Sequence, residues 1–330
     1  MKRRTILLAA LLLFAMAMLW SRTRAAISDE LPPRHSRQKF ATSQGDREYV
    51  IHIPASCDKL KPTPLVIMLH GFGGTGLTAA RETGWSAKAE RESFIVAYPE
   101  ATRPDKSSPP HFRRNPQAWN DGSGRFHAAA QNIDDVAFID AMINSIESGF
   151  AIDPNRIFVT GFSNGASMTF RVGAELSHRI AAIAPVAGTC WLEQPEPSHL
   201  VSLCYITGTA DSLNPLDGGY PKLAFGGREQ GGRPKPAVQV FIDQWVRALR
   251  LPEKPHREET LNGLQKRVYR HGSQQPEIVF ITVAGHGHHW PGGERQLPEF
   301  LLGKSGSQLN ATDIIWDFFK SHPRTAVSPE

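Results

Sequence analysis

Cysteine is scarce in this chain: 330 residues hold three, Cys57, Cys190 and Cys204. So few thiols exclude a disulfide-stapled scaffold, and their scatter excludes a cysteine-based zinc centre. At most one bridge can form, with one thiol left over. Long apolar runs are equally scarce. Past the first 26 residues no stretch reaches the about 20 apolar residues that span a bilayer. An excess of either charge is missing too. The formal net charge of +5 rests on Lys2, Arg3, Arg4, Arg22 and Arg24; without them the chain holds 32 bases and 32 acids. That balance gives no electrostatic reason to expect a nucleic-acid partner. Internal repeats and low-complexity tracts are also absent, which argues against a repeat architecture.

What is present begins with a targeting segment. Lys2-Arg3-Arg4 form a positive n-region, Ile6 to Trp20 is apolar and uncharged, and Ala25 and Ala26 are small. This is the layout of a secretory signal peptide; an uncleaved anchor is the alternative, because Arg22 and Arg24 crowd the cleavage site. The chain then divides into a signal peptide at 1–26, a flexible N-terminal tail at 27–37, one folded domain at 38–322 and a C-terminal tail at 323–330. The expected location is outside the cytoplasm, in the periplasm or the medium.

Within the domain, strand and helix patterns alternate. Glu48–Ile53, Pro64–Leu69, Phe94–Tyr98, Ile157–Thr160, Ala182–Val186, Val201–Thr207 and Ile278–Val283 are short apolar strand candidates. Val136, Ile139, Ile143 and Ile146 recur at helical spacing behind Asp134 and Asp135, whose carboxylates suit a helix start. Further helices are expected after Ser163, over Val238 to Leu249 and around Ile314 to Phe319. Residues 101–131 and 212–236 are rich in turn formers and read as long loops. Such alternation predicts an α/β protein, a mostly parallel central sheet with helices on both faces.

Gly161-Phe162-Ser163-Asn164-Gly165 is a G-x-S-x-G sequence between a predicted strand and a predicted helix. That setting defines a nucleophile elbow, where a tight turn needs glycine beside an exposed serine. A serine hydroxyl needs a base, and the base an orienting acid. In this arrangement they follow in the order serine, acid, histidine, each after a later strand. Asp211 stands after Val201–Thr207, and a plain Asx-turn is the structural alternative for Asp211; Asp217 is a weaker candidate in the same loop. Gly285-His286-Gly287-His288-His289-Trp290 follows the last strand. His288 is the chosen base; His286 and His288 as zinc ligands are the competing reading. His70-Gly71-Phe72-Gly73-Gly74 follows Pro64–Leu69, so the amides of Phe72 and Asn164 are candidates for an oxyanion hole. His70 itself falls in the wrong chain order for a base and reads as a loop-fixing residue. Trp119, Trp191 and Trp290 are candidates for an aromatic substrate platform, against the commoner fate of core packing.

With these elements placed, the chain resembles the esterase family of polyhydroxybutyrate depolymerases and feruloyl or acetylxylan esterases. The resemblance covers most of residues 45–320. It rests on Leu69-His70-Gly71, Tyr98-Pro99-Glu100, Asp134-Asp135-Val136, Ile152 to Ile157 leading into the G-x-S-x-G sequence, Gly208-Thr209-Ala210-Asp211, and His288 with Trp290-Pro291-Gly292. The sequence departs from the pattern at Ala166, His286 and His289. The resemblance implies an α/β-hydrolase fold and a secreted serine esterase acting through Ser163, Asp211 and His288. It implies no cofactor, no metal, and no partner beyond an ester substrate, free or polymeric. A serine peptidase of the same fold and a non-catalytic binding protein on that fold are the alternatives. If the targeting reading holds, N-terminal sequencing of exported protein will begin just after Ala25 or Ala26; a start at Met1 would favour the anchor.

Overall fold

Apolar runs bounded by turn formers become strands here wherever both faces can be covered. The computed structural model describes residues 30–221, 233–272, 276–294, 299–305 and 309–324. Residues 1–26, where the signal peptide is expected, lie outside them, as does 325–330 of the C-terminal tail. Arg34–Glu330 is one compact unit. It opens with a hairpin, β1 (His35–Thr42) and β2 (Gly45–His52), followed by β3 (Thr63–Leu69), α1 (Gly76–Thr83), α2 (Trp85–Glu92) and β4 (Ile95–Pro99). Next come α3 (Phe126–Ala130), α4 (Asp135–Glu147), β5 (Ile152–Phe162), α5 (Asn164–Glu175), β6 (Ala182–Val186) and β7 (Ser202–Gly208). The chain continues through α6 (Val238–Ala248), β8 (Arg257–Leu261), β9 (Leu264–Arg270), β10 (Glu277–Val283), α7 (Glu299–Leu302) and α8 (Ala311–Ser321).

The strands form one sheet in the order β1-β2-β4-β3-β5-β6-β7-β10-β9-β8. From β4 to β10 the neighbours are parallel; β1, β2, β9 and β8 add antiparallel wings. Every residue of β3, β4, β6 and β7 is buried, as expected for parallel strands covered on both faces. Alternation along β5 shows the two layers. Ile157 and Val159 join the core shared with Ile139 of α4, Phe170 of α5 and Trp245 of α6. Phe158, between them, points the other way and stacks on Phe319 of α8 at 4.6 Å between ring centroids. The fold is the mixed, mostly parallel α/β sheet that the alternation predicts.

Three local differences have physical reasons. The segment read as a tail contains the start of β1, whose sequence, His35-Ser36-Arg37-Gln38-Lys39-Phe40, is too polar to announce a strand; it pairs with β2 at the sheet edge, where one face stays wet. The β8–β9 hairpin turns on Asn262-Gly263, with φ of 51° and 75°, the two positive values a tight hairpin turn needs. Asp153-Pro154-Asn155 turns inside β5: pairing with β3 steps from Thr63↔Ile152 to Leu65↔Ile157, and the intervening residues bulge out. All three cysteines are free thiols, Cys190 and Cys204 buried and Cys57 partly so. Burial pushes the Cys190 and Cys204 thiols up, to about 11 and about 12.

The start of α4 holds a buried ion pair. Asp134 caps the helix, accepting from the Ala137 N–H at 2.9 Å. Asp135 is fully buried: its Oδ1 pairs with Arg47 of β2 at 2.6 Å and its Oδ2 accepts from the Asn120 N–H at 2.8 Å. Arg47 also lies over the Phe138 ring at 3.8 Å and donates to the Glu100 carbonyl at 3.2 Å. Asp135→Ala strands a buried guanidinium and is expected to cost about 3–5 kcal/mol; urea unfolding curves measure it, and a loss below about 1 kcal/mol would make the pair structurally idle.

Candidate active site

The G-x-S-x-G sequence ends β5 and starts α5. Ser163 sits at φ 56° and ψ −116°, a strained conformation for a residue with a side chain. Its N–H donates to the Val186 carbonyl at 3.0 Å, which anchors the turn to β6. The two glycines are required by contact: a Cβ on Gly161 would collide with the Gly165 carbonyl, and one on Gly165 with the Leu69 carbonyl.

The structure brings Ser163, Asp211 and His288 together. His288 Nε2 lies 2.9 Å from Ser163 Oγ, and His288 Nδ1 lies 2.7 Å from Asp211 Oδ2. With Nδ1–H donating to the carboxylate, Nε2 is left to accept a hydrogen bond from the Ser163 hydroxyl. Asp211 is buried, and its other oxygen accepts from the Leu213 and Asn214 amides at 2.8 and 2.7 Å. The Asx-turn and the contact to His288 therefore belong to the same residue. Burial raises its carboxyl, but the His288 ring, the Asn214 amide and the Lys235 charge together outweigh that and leave it below its ordinary value. Asp217 is exposed. The loops after β7 and β10 are stitched together: Ala210 N–H donates to the His286 carbonyl at 3.0 Å and Gly285 N–H to Thr209 Oγ1 at 2.8 Å.

The neighbouring histidines have backbone partners. His286 Nε2 donates to the His289 carbonyl at 3.2 Å and His289 Nε2 to the Gly303 carbonyl at 3.0 Å. Burial lowers both imidazoles, so they stay neutral more readily than a free ring.

The two candidate oxyanion amides lie on arms held by one bracket, residues 117–121. Asn164 is the first residue of α5, so its amide is one that a helix leaves without an internal partner. Its side chain reaches into the bracket, Oδ1 accepting from Trp119 N–H at 2.8 Å and Nδ2 donating to Asp121 at 2.8 Å. On the other arm, Trp119 Nε1 donates to the His70 carbonyl at 2.9 Å and Gly73 N–H to the Gln117 carbonyl at 2.8 Å. Asn120 in turn binds Asp135 of the buried pair. His70 Nδ1 donates to the Gly71 carbonyl at 2.8 Å, and Nε2 accepts from Ala101 N–H at 3.1 Å, so the ring fixes the loop.

The tryptophans require correction. Trp119, Trp191 and Trp290 are only 0%, 4% and 6% exposed, so they make no open platform for a sugar or a phenolic ring. Trp119 belongs to the bracket, and Trp290 donates to Thr312 at 3.0 Å. Trp191 lies under the guanidinium groups of Arg125 and Arg233, at 4.9 and 5.3 Å from the ring. Partly exposed aromatics do occur at the site: Phe72 stacks on Phe126 at 4.6 Å, and Phe162 packs on His288 at 4.9 Å. Sequence reading passed over Arg125, Phe126 and Lys235, which fall in stretches rich in turn formers that carry no periodic signal, although Phe126 opens the short helix α3. Lys235 Nζ donates to Asn214 Oδ1 at 3.1 Å, and burial, aided by the Arg125 charge, lowers its ammonium to about 7.

Sheet order, elbow and converging side chains define an α/β-hydrolase. A family model described as phospholipase/carboxylesterase matches residues 53–219, and the chain belongs to that family. A protein named as an esterase, NocK of Nocardia uniformis subsp. tsuyamanensis, is 28% identical over 287 residues, covering 82% of this chain and 78% of its own. Poly(3-hydroxyalkanoate) depolymerase C of Paucimonas lemoignei is 25% identical over 268 residues; the match covers 76% of this chain and 60% of the depolymerase. An acetyl xylan esterase from Aspergillus awamori shares the fold, with a TM-score of 0.58 at 16% identity over 87% of this chain and 99% of that one.

Acid stability follows from His70. Burial lowers its imidazole to about 4 from 6.5, so between those values the unfolded chain binds more protons at this residue and stability falls as pH falls. The contribution reaches about 3 kcal/mol near pH 4. Urea unfolding at several pH values should show this slope in the native protein and a flatter one in His70→Asn; equal slopes would remove His70 from the account.

Proposed function

We propose that the protein is an exported serine esterase that forms an acyl-enzyme on Ser163. The observation that carries the reading is the chain of hydrogen bonds from Ser163 Oγ through His288 to Asp211, at 2.9 and 2.7 Å. His288 Nε2 takes the Ser163 proton as Oγ attacks the ester carbonyl, and Asp211 stabilises the imidazolium. The Phe72 and Asn164 amides receive the oxyanion. His288 then protonates the departing alkoxide, and water, activated by the same ring, releases the acid. No cofactor enters these steps. Export rests on the composition of residues 1–26. As substrates we propose hydroxyalkanoate-type oligoesters, in keeping with the depolymerase relative, or feruloyl and acetyl esters of plant polysaccharide; the partly exposed Phe72–Phe126 pair offers an apolar surface to either.

Ser163→Ala should abolish turnover of 4-nitrophenyl esters with the unfolding midpoint little changed, since the elbow keeps its glycines. His288→Ala should cost about three or more orders of magnitude in kcat, and His286→Ala or His289→Ala far less. A Ser163→Ala protein with more than about 1% of native rate would refute the nucleophile. A matched anilide cleaved as fast as the ester would favour a peptidase. No reaction of Ser163 with a fluorophosphonate would favour a binding protein.

A further inference from the structure

The side chains linked by contacts to Ser163 and its neighbours divide by chemistry. One group is aromatic: Phe72 stacks on Phe126, meets Phe112 edge-on at 6.2 Å, and stands on the loop of the first oxyanion arm. The other group is cationic. Arg125 lies between the Phe126 and Trp191 rings, 5.0 and 4.9 Å from their centroids. Arg233 covers Trp191 and donates to its carbonyl at 2.7 Å. Lys235 reaches Asn214, whose own N–H binds the Asp211 carboxylate.

The acids do not match these cations. Arg125 has Asp121 at 3.3 Å, but Asp121 also receives Asn164 Nδ2. Arg233 has Glu193 at 3.1 Å, a carboxylate 84% exposed to solvent. Asp211 is engaged by His288. Among the described residues no carboxylate lies within ion-pair distance of Lys235, and its acceptor is the neutral Asn214 amide oxygen. An ammonium has three donors, so two point elsewhere. Asn214 links Lys235 to Asp211, and Asp121 links Arg125 to Asn164, so hydrogen bonds and an ion pair join both side chains to the residues around Ser163. A partly buried ammonium with no counter-ion among the described residues favours an incoming anion.

We propose that this site selects esters that carry a free carboxylate, held by Lys235 and Arg125, with the ester's apolar portion against Phe72 and Phe126. The proposal rests on the serine-esterase reading and narrows its substrate class. A short linear oligomer of hydroxy acids carries such a carboxylate at its chain end, whereas an acetyl group on a neutral sugar does not.

The test compares matched probes on the native protein: the linear dimer of 3-hydroxybutyrate against its terminal amide, and 4-nitrophenyl hydrogen glutarate against its methyl ester. At least one carboxylate probe should exceed its neutral partner by about tenfold or more in kcat/KM, carried by KM. Added salt should shrink that preference by screening. Lys235→Gln should shrink it by about tenfold. Equal kcat/KM within both pairs would overturn the proposal. So would a Lys235→Gln protein that loses the same factor on charged and neutral probes, because the lysine would then act only through Asp211. Failure to cleave any of the four probes would count against the esterase reading instead. In that case calorimetric titration of Ser163→Ala protein with the dimer and its amide decides: binding of the dimer alone supports the carboxylate site, and binding of neither overturns it.

Discussion

At Ser163 three stretches of backbone pass closer than a Cβ would permit. Gly161 meets the Gly165 carbonyl, Gly165 meets the Leu69 carbonyl, and Gly188 leaves room for the carbonyl of Ser163 itself. This crowding forces the serine to φ 56° and lifts its hydroxyl out of the sheet. Strain of this kind costs about 1–3 kcal/mol, and the surroundings must hold it. They do so through buried β5, β3 and β6, whose parallel pairing fixes where each strand ends. Because the loops that carry Asp211 and His288 leave the ends of β7 and β10, the parallel pairing that continues from β6 through β7 to β10 sets the distance from Ser163 to Asp211 and His288.

The second requirement is that two separate arms present their amides to one point. Residues 117–121 tie these two arms to each other with a small set of buried hydrogen bonds. Trp119 joins the His70 carbonyl to the Asn164 side chain, and Asn120 joins the bracket to Asp135 and so to Arg47. Polar groups buried this deeply are costly when unpaired, so the arrangement tolerates few alternatives. The residues around Ser163 are thus joined by hydrogen bonds to an ion pair some elements away, at the start of α4.

How much of this could be read from residues alone depended on how local the signal was. The parallel strands were legible because burial on both faces demands continuous apolar runs. Ser163, Asp211 and His288 were legible because each follows a strand and because glycine marks the elbow. β1 was not: at a sheet edge its pattern is nearly that of a polar tail. The Asn262-Gly263 turn carried a readable signal that went unused. The tryptophans misled for a different reason. Residue type says that an indole is large and has one donor, but only tertiary contacts decide whether that donor meets a carbonyl, as in Trp119, or water. Arg125 and Lys235 belong to loops, and their convergence depends on where α3 and the segment before α6 happen to pass.

The sheet is open, so it has two edges, and neither is covered by closure into a barrel. β1 carries Arg37 and Lys39, and β8 carries Arg257, Glu258 and Glu259. Charge along an unpaired strand discourages a second chain from adding there, because those side chains would have to leave water as the new ladder formed. Both wings are antiparallel hairpins laid outside the parallel strands that hold the elbow. They act as selvedges on the woven part of the molecule: they end the sheet without asking anything of the strands that position Ser163, and they keep copies of the protein from joining edge to edge at high local concentration.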